Sequence, residues 1–383
     1  MTNVDHSDPC AVNSLIETPG CSPVEGRVVW DPAHSLWNGG MLAVALVFGP
    51  LTVSPAALAV FAVTTGGALL LGHSVGFHRR LIHGSFQCPL WLEHFLVWIG
   101  TAVGMSGPFW IIRTHDLRDW AQRQADCHDY LAHRRPMLVD AWWQIHCRLE
   151  LAHPPAFDLG RIGRDRFYRF LERTWMLQQL PIAAGLYLLG GWGFVVWGVC
   201  ARLAASVTGH WFVGHLAHRR GPQTWRVKGA GVQAHDVPWA AIPTMGEAWH
   251  NNHHAWPGSA RIGLYPGQRD WGFRFIQLLE RLGMAWEVRT PETMDRQGAL
   301  VAVEAGRRTE PKNAVFPPRI ISPLPTLISP FPTPVAGNQP ASPESAVTMT
   351  RRLLRKAAQV FDNRVSRRLR RRSGRQAGSA EPV

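Results

Sequence analysis

Two long stretches of the chain carry almost no charge. The first, NGGMLAVALVFGPLTVSPAALAVFAVTTGGALLLGH, runs from Asn38 to His73 without a Lys, Arg, Asp or Glu. It is too long for one straight membrane span, and Gly49-Pro50 with Ser54-Pro55 breaks it near the middle. The pattern predicts two helices in a tight hairpin, at about 34–52 and 55–74. The second stretch, Trp175 to His215, holds Arg202 as its only charge, and Gly190-Gly191 marks a turn. It predicts helices at about 173–190 and 192–216. Between the two hairpins, Cys88 to Ile111 is apolar but interrupted by Glu93 and His94, which suits an interfacial or partly inserted helix. After Arg261, GFRFIQLLERLGMAW is amphipathic at helical spacing.

The charges orient these elements. The turns near Pro50 and Gly191 carry none, whereas Arg79, Arg80, Arg113, Arg118, Arg134, Arg135, Arg219 and Arg220 lie at the opposite helix ends. By the positive-inside rule, both termini and the arginine-rich segments face the cytoplasm. Composition agrees: 46% of the 383 residues are hydrophobic and only 17% charged, with 18 tryptophans. The expected protein is an integral, multi-pass membrane protein.

The net charge of +13 belongs mostly to the tail, since Arg351 to Arg375 holds eleven basic residues and one acid, Asp362. That tail suits anionic lipid on the same face, and no nucleic acid is expected. Residues 311 to 343 contain ten prolines and read as a disordered linker. The expected divisions are an N-terminal cytoplasmic segment (1–33), a membrane domain (34–300), a Pro-rich linker (301–345) and a basic tail (346–383). The six cysteines lack CxxC spacing, so free thiols are expected.

The chemistry lies in the histidines. His73 and His78 stand at the end of the second predicted helix and His115 follows the intervening apolar segment. His210, His215 and His218 end the fourth helix, and Glu247 to Trp256 reads EAWHNNHHAW, with His250, His253 and His254. The topology brings all of these to one membrane surface, and ionisable groups placed so are functional candidates. Neutral imidazole is the commonest metal ligand. A donor set of many imidazoles, a carboxylate or two and no thiolate favours Fe, Mn, Zn or Cu over Ca or Mg, and its size favours two ions. His250 with His254, and His115 with Asp119, are i, i+4 pairs that share a helix face. His83, His94, His146, His153 and His235 read as ordinary surface or core residues.

The segments HSVGFHR and GEAWHNNHHAWP, together with the paired apolar hairpins, resemble the membrane-bound acyl-CoA and acyl-lipid desaturases of the stearoyl-CoA (Δ9) type. The likeness covers about residues 30 to 290. It implies an all-α fold, four transmembrane helices in two hairpins under a cytoplasmic, histidine-rich di-iron cap. It also implies two iron ions that activate O2 to place a cis double bond in a long-chain acyl substrate. The implied metal ligands are His73, His78, His115, Asp119, His215, His250, His253 and His254. The family's second histidine box, HxxHH, here reads His115-Asp116-Leu117-Arg118-Asp119. Arg118 cannot bind a cation, and the family's asparagine before the fourth-helix histidine falls on Trp211. His128, His133 or His210 are therefore possible extra ligands.

Asp116 and Gln122 are expected to orient imidazoles. Arg113 suits the substrate's polar head, and Phe109, Trp110, Trp211 and Trp249 are candidate walls of the acyl tunnel. No nucleotide-binding GxGxxG, iron–sulfur CxxC set or HPGG haem segment occurs, so an external donor of ferredoxin, rubredoxin or cytochrome type is implied. The alternatives are a related membrane di-iron hydroxylase or oxygenase, and a non-catalytic membrane metal-binding protein.

Overall fold

The computed structural model describes residues 14–303. The Pro-rich linker and the basic tail expected above lie outside the described residues, apart from 301–303, as do the first 13 residues of the N-terminal segment. The described chain is mostly helical. Three two-stranded antiparallel ribbons modify the all-α expectation.

Strands β1 (Leu15–Ile16) and β2 (Gly26–Trp30) lead into α1 (Pro32–Phe48). Asp31 caps α1 by accepting from the Ala33 and His34 amides, and Pro32 sits where a missing N–H costs nothing. Helix α1 ends at Phe48, short of the expected boundary at 52. Ser54 caps α2 (Pro55–Gly67), which continues as a π-helix over Ala68–Ile82 instead of stopping near residue 74. Helices α3 (Leu90–Ala102) and α4 (Pro108–Arg123) divide the intervening apolar segment at a turn where Gly104 has φ of +90°. Glu93 is buried at the start of α3, where it accepts from Arg80, Arg161 and the Tyr168 hydroxyl. A carboxylate so partnered has no need of solvent.

Helix α5 (Met137–His146) runs into β3 (Cys147–Leu151), which pairs with β2 so that Gly26 faces Leu151 and Trp30 faces Cys147. The short β4 (Ala156–Phe157) pairs with β1. Then come α6 (Gly160–Arg164), α7 (Arg166–Thr174), α8 (Gln179–Val195), a π-helical turn at Val196–Ala201 and α9 (Arg202–Ala217). Helix α8 breaks at Gly190 and Gly191, the latter with φ of +71°, which only glycine tolerates cheaply. Strand β5 (Trp225–Val227) pairs with β6 (Leu300–Ala302); between them lie α10 (His250–Ala255) and α11 (Trp271–Arg281).

Two helical stretches, Pro55–Ile82 and Arg166–Ala217, have the length and composition to cross a membrane. Both helices of the first hairpin, and α9, pack beside the Val196–Ala201 turn. Their outer faces are apolar: Leu36, Leu46, Leu51, Val63, Leu188 and Leu189 are exposed, while Asn38, Ser74, Arg79 and Arg202 are buried. That inversion suits a lipid solvent. Among the described residues the cysteines are free thiols.

The π-helical segment approaches α3 so closely that backbones touch. A Cβ on Gly72 would lie 2.6 Å from the Ile99 carbonyl, and one on Gly76 would lie 2.5 Å from the Leu96 oxygen. Two glycines four apart act here as the small residues that let membrane helices meet. Replacing Gly76 with Ala is expected to cost about 1–3 kcal/mol through overpacking. Thermal unfolding in detergent, with a lowered midpoint for G76A, checks this.

Candidate metal centre

Three groups of potential metal-binding side chains form among the described residues. The first joins His78, His83, His115 and His253. The π-helix explains its composition. The His83 amide donates to the His78 carbonyl at 3.1 Å, a bond spanning five residues, and this wide turn brings the two rings to 4.8 Å. His115 arrives from α4, 4.8 Å from the His83 ring. His253 arrives from α10, with its Nε2 3.3 Å from that of His78.

The second group is His218, His250 and His254. The Nε2 of His250 lies 3.0 Å from that of His218 and 3.1 Å from that of His254. The six-residue α10 thus splits its histidines. The i, i+4 pair His250 and His254 serves this group, while His253 serves the other.

The third group is His133, Asp140 and His215. One oxygen of Asp140, its Oδ2, accepts from His133 Nδ1 at 2.9 Å, His215 Nδ1 at 2.8 Å and Trp211 Nε1 at 2.8 Å. Burial alone would raise this carboxyl, but its hydrogen bonds outweigh that and hold it at about 2. Burial in turn holds His133 down to about 4.

The donor sets of the first two groups fit metal ions. An imidazole nitrogen carries one hydrogen or one in-plane lone pair, so it serves one hydrogen-bond partner well. The His250 Nε2 faces two others at hydrogen-bond range, and the His83 Nε2 is buried with no partner at all. Ligand nitrogens about 2.0–2.1 Å from a common ion would stand about 3.0–3.4 Å apart, matching the observed separations. Burial also keeps the rings in the neutral, ligating form: it pushes His83, His218, His250 and His253 well down, and His254 to about 4. In His115 burial is overcome by the Asp119 and Asp116 carboxylates, which shift it up. Asp119, 3.8 Å from His115 Nδ1, would be raised by burial; His115, His254 and Arg123 instead hold it low, so it lies between the first two groups electrostatically.

Other residues singled out from the sequence fall elsewhere. His73 stands with its ring 6.4 Å from His78 and 4.9 Å from His210, and neither His73 nor His210 joins the three groups. His215 joins Asp140 rather than the HNNHH histidines. His128 accepts the Tyr130 amide with Nδ1. Asp116 accepts from the Ser14 amide and hydroxyl at 2.8 and 2.6 Å, and Gln122 donates to the Leu131 carbonyl, so neither has an imidazole as its main partner. Arg118 donates to Gln144, and Arg113 is exposed. Phe109 packs near Phe77 and Ile111, while Trp110 stacks on His34 at 5.0 Å. Trp249 is buried and donates to the Arg269 carbonyl. Trp211 alone of these four lines an apolar cavity of about 470 Å³, with Leu42, Ile145, Leu203, Val207 and Phe212.

Three residues of the groups, and Glu247 beside them, were not assigned as ligands or ligand partners from the sequence. His83 repeats the five-residue spacing of His73 and His78, a signal that α-helical periodicity hides. His218 lies just past α9, three residues beyond His215. Glu247 precedes His250 by three, and its carboxylate sits 2.6 Å from His78 Nδ1, which leaves the His78 Nε2 lone pair facing His253. Burial would raise Glu247, but His78 and Arg79 hold it low. Asp140 had no sequence signal.

A helical, apolar-faced chain enclosing two imidazole clusters defines a membrane protein with a candidate two-metal centre. No protein-family model matches the chain. It is 36% identical over 231 residues to the sn-1 stearoyl-lipid 9-desaturase of Anabaena variabilis, covering 59% of this chain and 80% of the relative. It is 32% identical over 276 residues to the acyl-CoA C20 Delta5-desaturase of Anemone leveillei, covering 70% of this chain and 84% of the relative. A third relative, the sn-2 palmitoyl-lipid 9-desaturase of Nostoc, is 35% identical over 225 residues, with 57% and 76% covered. The chain belongs to the membrane fatty acid desaturase family and is an oxidoreductase.

His83→Ala is expected to lower bound metal at least about tenfold, and Glu247→Gln about 10–100-fold through loss of the His78 anchor. His94→Ala, whose ring pairs with Asp165, should leave it unchanged. Metal per chain by elemental analysis of the purified variants checks all three.

Proposed function

We propose that the chain introduces a cis double bond into a long-chain fatty acyl substrate, carried on CoA or a lipid, in an O2-dependent reaction at a di-iron centre. The observation that carries this reading is the convergence of two imidazole groups within one chain whose relatives are desaturases. His78, His83, His115 and His253 would hold one ion; His218, His250 and His254 would hold the other, with Asp119 between them. Two iron ions there supply the O2 activation that removes hydrogen from adjacent methylenes. O2 leaves as two waters, which take up the two substrate hydrogens together with two electrons and two protons from outside. The electrons come from a separate carrier of ferredoxin, rubredoxin or cytochrome type.

The chain's own groups orient and exclude. Glu247, 2.6 Å from His78 Nδ1, orients that ring, and the burial of His78, His83 and His253 keeps bulk water from the reaction. The acyl chain would lie in the apolar cavity beside Trp211, where an aliphatic chain loses contact with water. Phe109, Trp110 and Trp249 pack away from that cavity, and Arg113 is exposed where an anionic head group could reach it. The break at Gly190-Gly191 supports reading Arg166–Ala217 as two spans; the helix beginning at Pro55 would be a third, and the apolar α1 a fourth. Both termini and the histidine groups then face the cytoplasm, with residues 34–300 forming the membrane domain.

Expression in a host with its native electron carriers, followed by fatty-acid profiling, tests the reading. New double bonds are expected, and they should vanish in His253→Ala. Hydroxylated acids in their place would point to an oxygenase. An unchanged lipid profile from an iron-loaded, reduced enzyme would overturn the catalytic reading.

A further inference from the structure

Helix α10 carries two asparagines between its histidines, and both are buried. Asn251 uses its whole side-chain amide. Its Oδ1 accepts from the Thr224 and Trp225 amides at 2.8 and 2.9 Å, and its Nδ2 donates to the Trp225 and Ala234 carbonyls at 2.8 Å. The Asn251 backbone N–H donates to Asp236 Oδ1 at 2.9 Å. Beside Asp236, the His235 amide donates at 2.7 Å to the carbonyl of Ala217, the residue before His218. Two hydrogen bonds therefore lead from the neighbour of His250 to the neighbour of His218, rings whose Nε2 atoms lie 3.0 Å apart.

Asn252 reaches the other way. Its Nδ2 donates to the Ile262 carbonyl at 3.0 Å and to Gln268 Oε1 at 2.9 Å. The Ile262 amide donates to Asp270 Oδ2 at 2.8 Å, and Asp270 Oδ1 accepts from Arg79 at 2.8 Å. Arg79 follows His78, and Asn252 precedes His253, whose Nε2 lies 3.3 Å from that of His78. Each asparagine thus ties one histidine of α10, through one buried aspartate, to the chain neighbour of the histidine it meets. A six-residue helix is not stable on its own, so its placement comes from such bonds.

We propose that Asn251 and Asn252 are positioning residues, one for each metal position: Asn251 sets His250 and His254 against His218, and Asn252 sets His253 against His78. The inference rests on the two-ion reading above. Asn251 has no lone pair left for an ion, since both of those on Oδ1 are taken. Asn252 keeps a buried Oδ1 without a hydrogen-bond partner, which makes a direct ligand role the rival reading for that residue.

The test uses the full chain in detergent, titrated with 57Fe. Metal per chain at rising free iron, the Mössbauer spectrum and the unfolding midpoint of the metal-free protein are measured. The variants are Asn251→Ala, Asn252→Ala, Asn251→Asp and Asn252→Asp, with His83→Ala and His218→Ala to mark which ion is which. Wild type should take up two ions with separate spectra, because one group has four imidazoles and the other three. Asn251→Ala should weaken the His218 ion about 10–100-fold and leave the spectrum of the other unchanged. Asn252→Ala should do the reverse, and the double variant should show both losses. Asn251→Asp, which keeps the two bonds accepted by Oδ1, should recover part of the loss. Asn252→Asp, which loses the Nδ2 donor, should recover none.

Two unperturbed ions in both alanine variants would overturn the inference alone. So would equal weakening of both ions in each, together with a lowered metal-free midpoint, which marks a purely structural role. Iron held or strengthened in Asn252→Asp would make Asn252 a ligand and overturn its half of the proposal. Should an alanine variant fail to fold, the aspartate variant of the same size carries the same comparison. A wild-type chain that takes up no iron would sink the functional reading and this inference with it.

Discussion

Neutral imidazoles cannot satisfy one another when several are buried with their nitrogens face to face. Each ring has one proton to give and one lone pair to receive it, and the Nε2 atoms of His218 and His254 crowd at 3.0 and 3.1 Å around that of His250. Water could relieve the conflict only if the site were open. Protonation could relieve it only at the cost of buried like charges. On the proposed function a shared cation would satisfy these lone pairs at once, and the elements around the rings hold them in that arrangement.

The backbone does this with two unusual devices. A π-helical stretch carries His78 and sets His83 beneath it through a bond five residues long, and it lies flush on α3 because Gly72 and Gly76 present no side chain. A helix of only six residues then distributes three histidines to two groups, since the consecutive His253 and His254 point about 100° apart around its axis. Neither element would be stable alone. Both are held by buried ionic networks, with Arg79 between Glu247 and Asp270 on one side and Glu93 between Arg80 and Arg161 on the other.

Carboxylates set the chemistry of the rings around them. Glu247 lies 2.6 Å from His78 Nδ1, and Asp140 accepts from Nδ1 of His133 and His215 so that their Nε2 atoms remain lone pairs. Asp119 lies 3.8 Å from His115 Nδ1, and the field of His115 and His254 helps to hold its carboxyl low. The apolar cavity meets this polar centre at Trp211, whose indole has its ring in one and its N–H in the other. An oxidation of unreactive methylenes asks for such a junction, where a featureless chain is brought beside a redox centre shielded from water.

The helical, lipid-facing character was legible in the sequence, because uncharged stretches broken by Gly-Pro and Gly-Gly leave few other ways to satisfy the backbone. So was the meeting of the HNNHH histidines with imidazoles from distant segments, since the topology predicts one surface for them all. His83 was not legible. Helical periodicity is counted in threes and fours, and only the π-helical winding brings a residue five away onto the same face. Nor was Asp140: a lone acid in an otherwise apolar helix gains meaning only when α9 delivers His215 and Trp211 to it from more than seventy residues away. The sequence by itself determined which residue types would meet and in what solvent. Which histidines gather into one group, and which carboxylate each ring meets, was decided by tertiary packing, because those contacts join segments that carry no record of one another's distance.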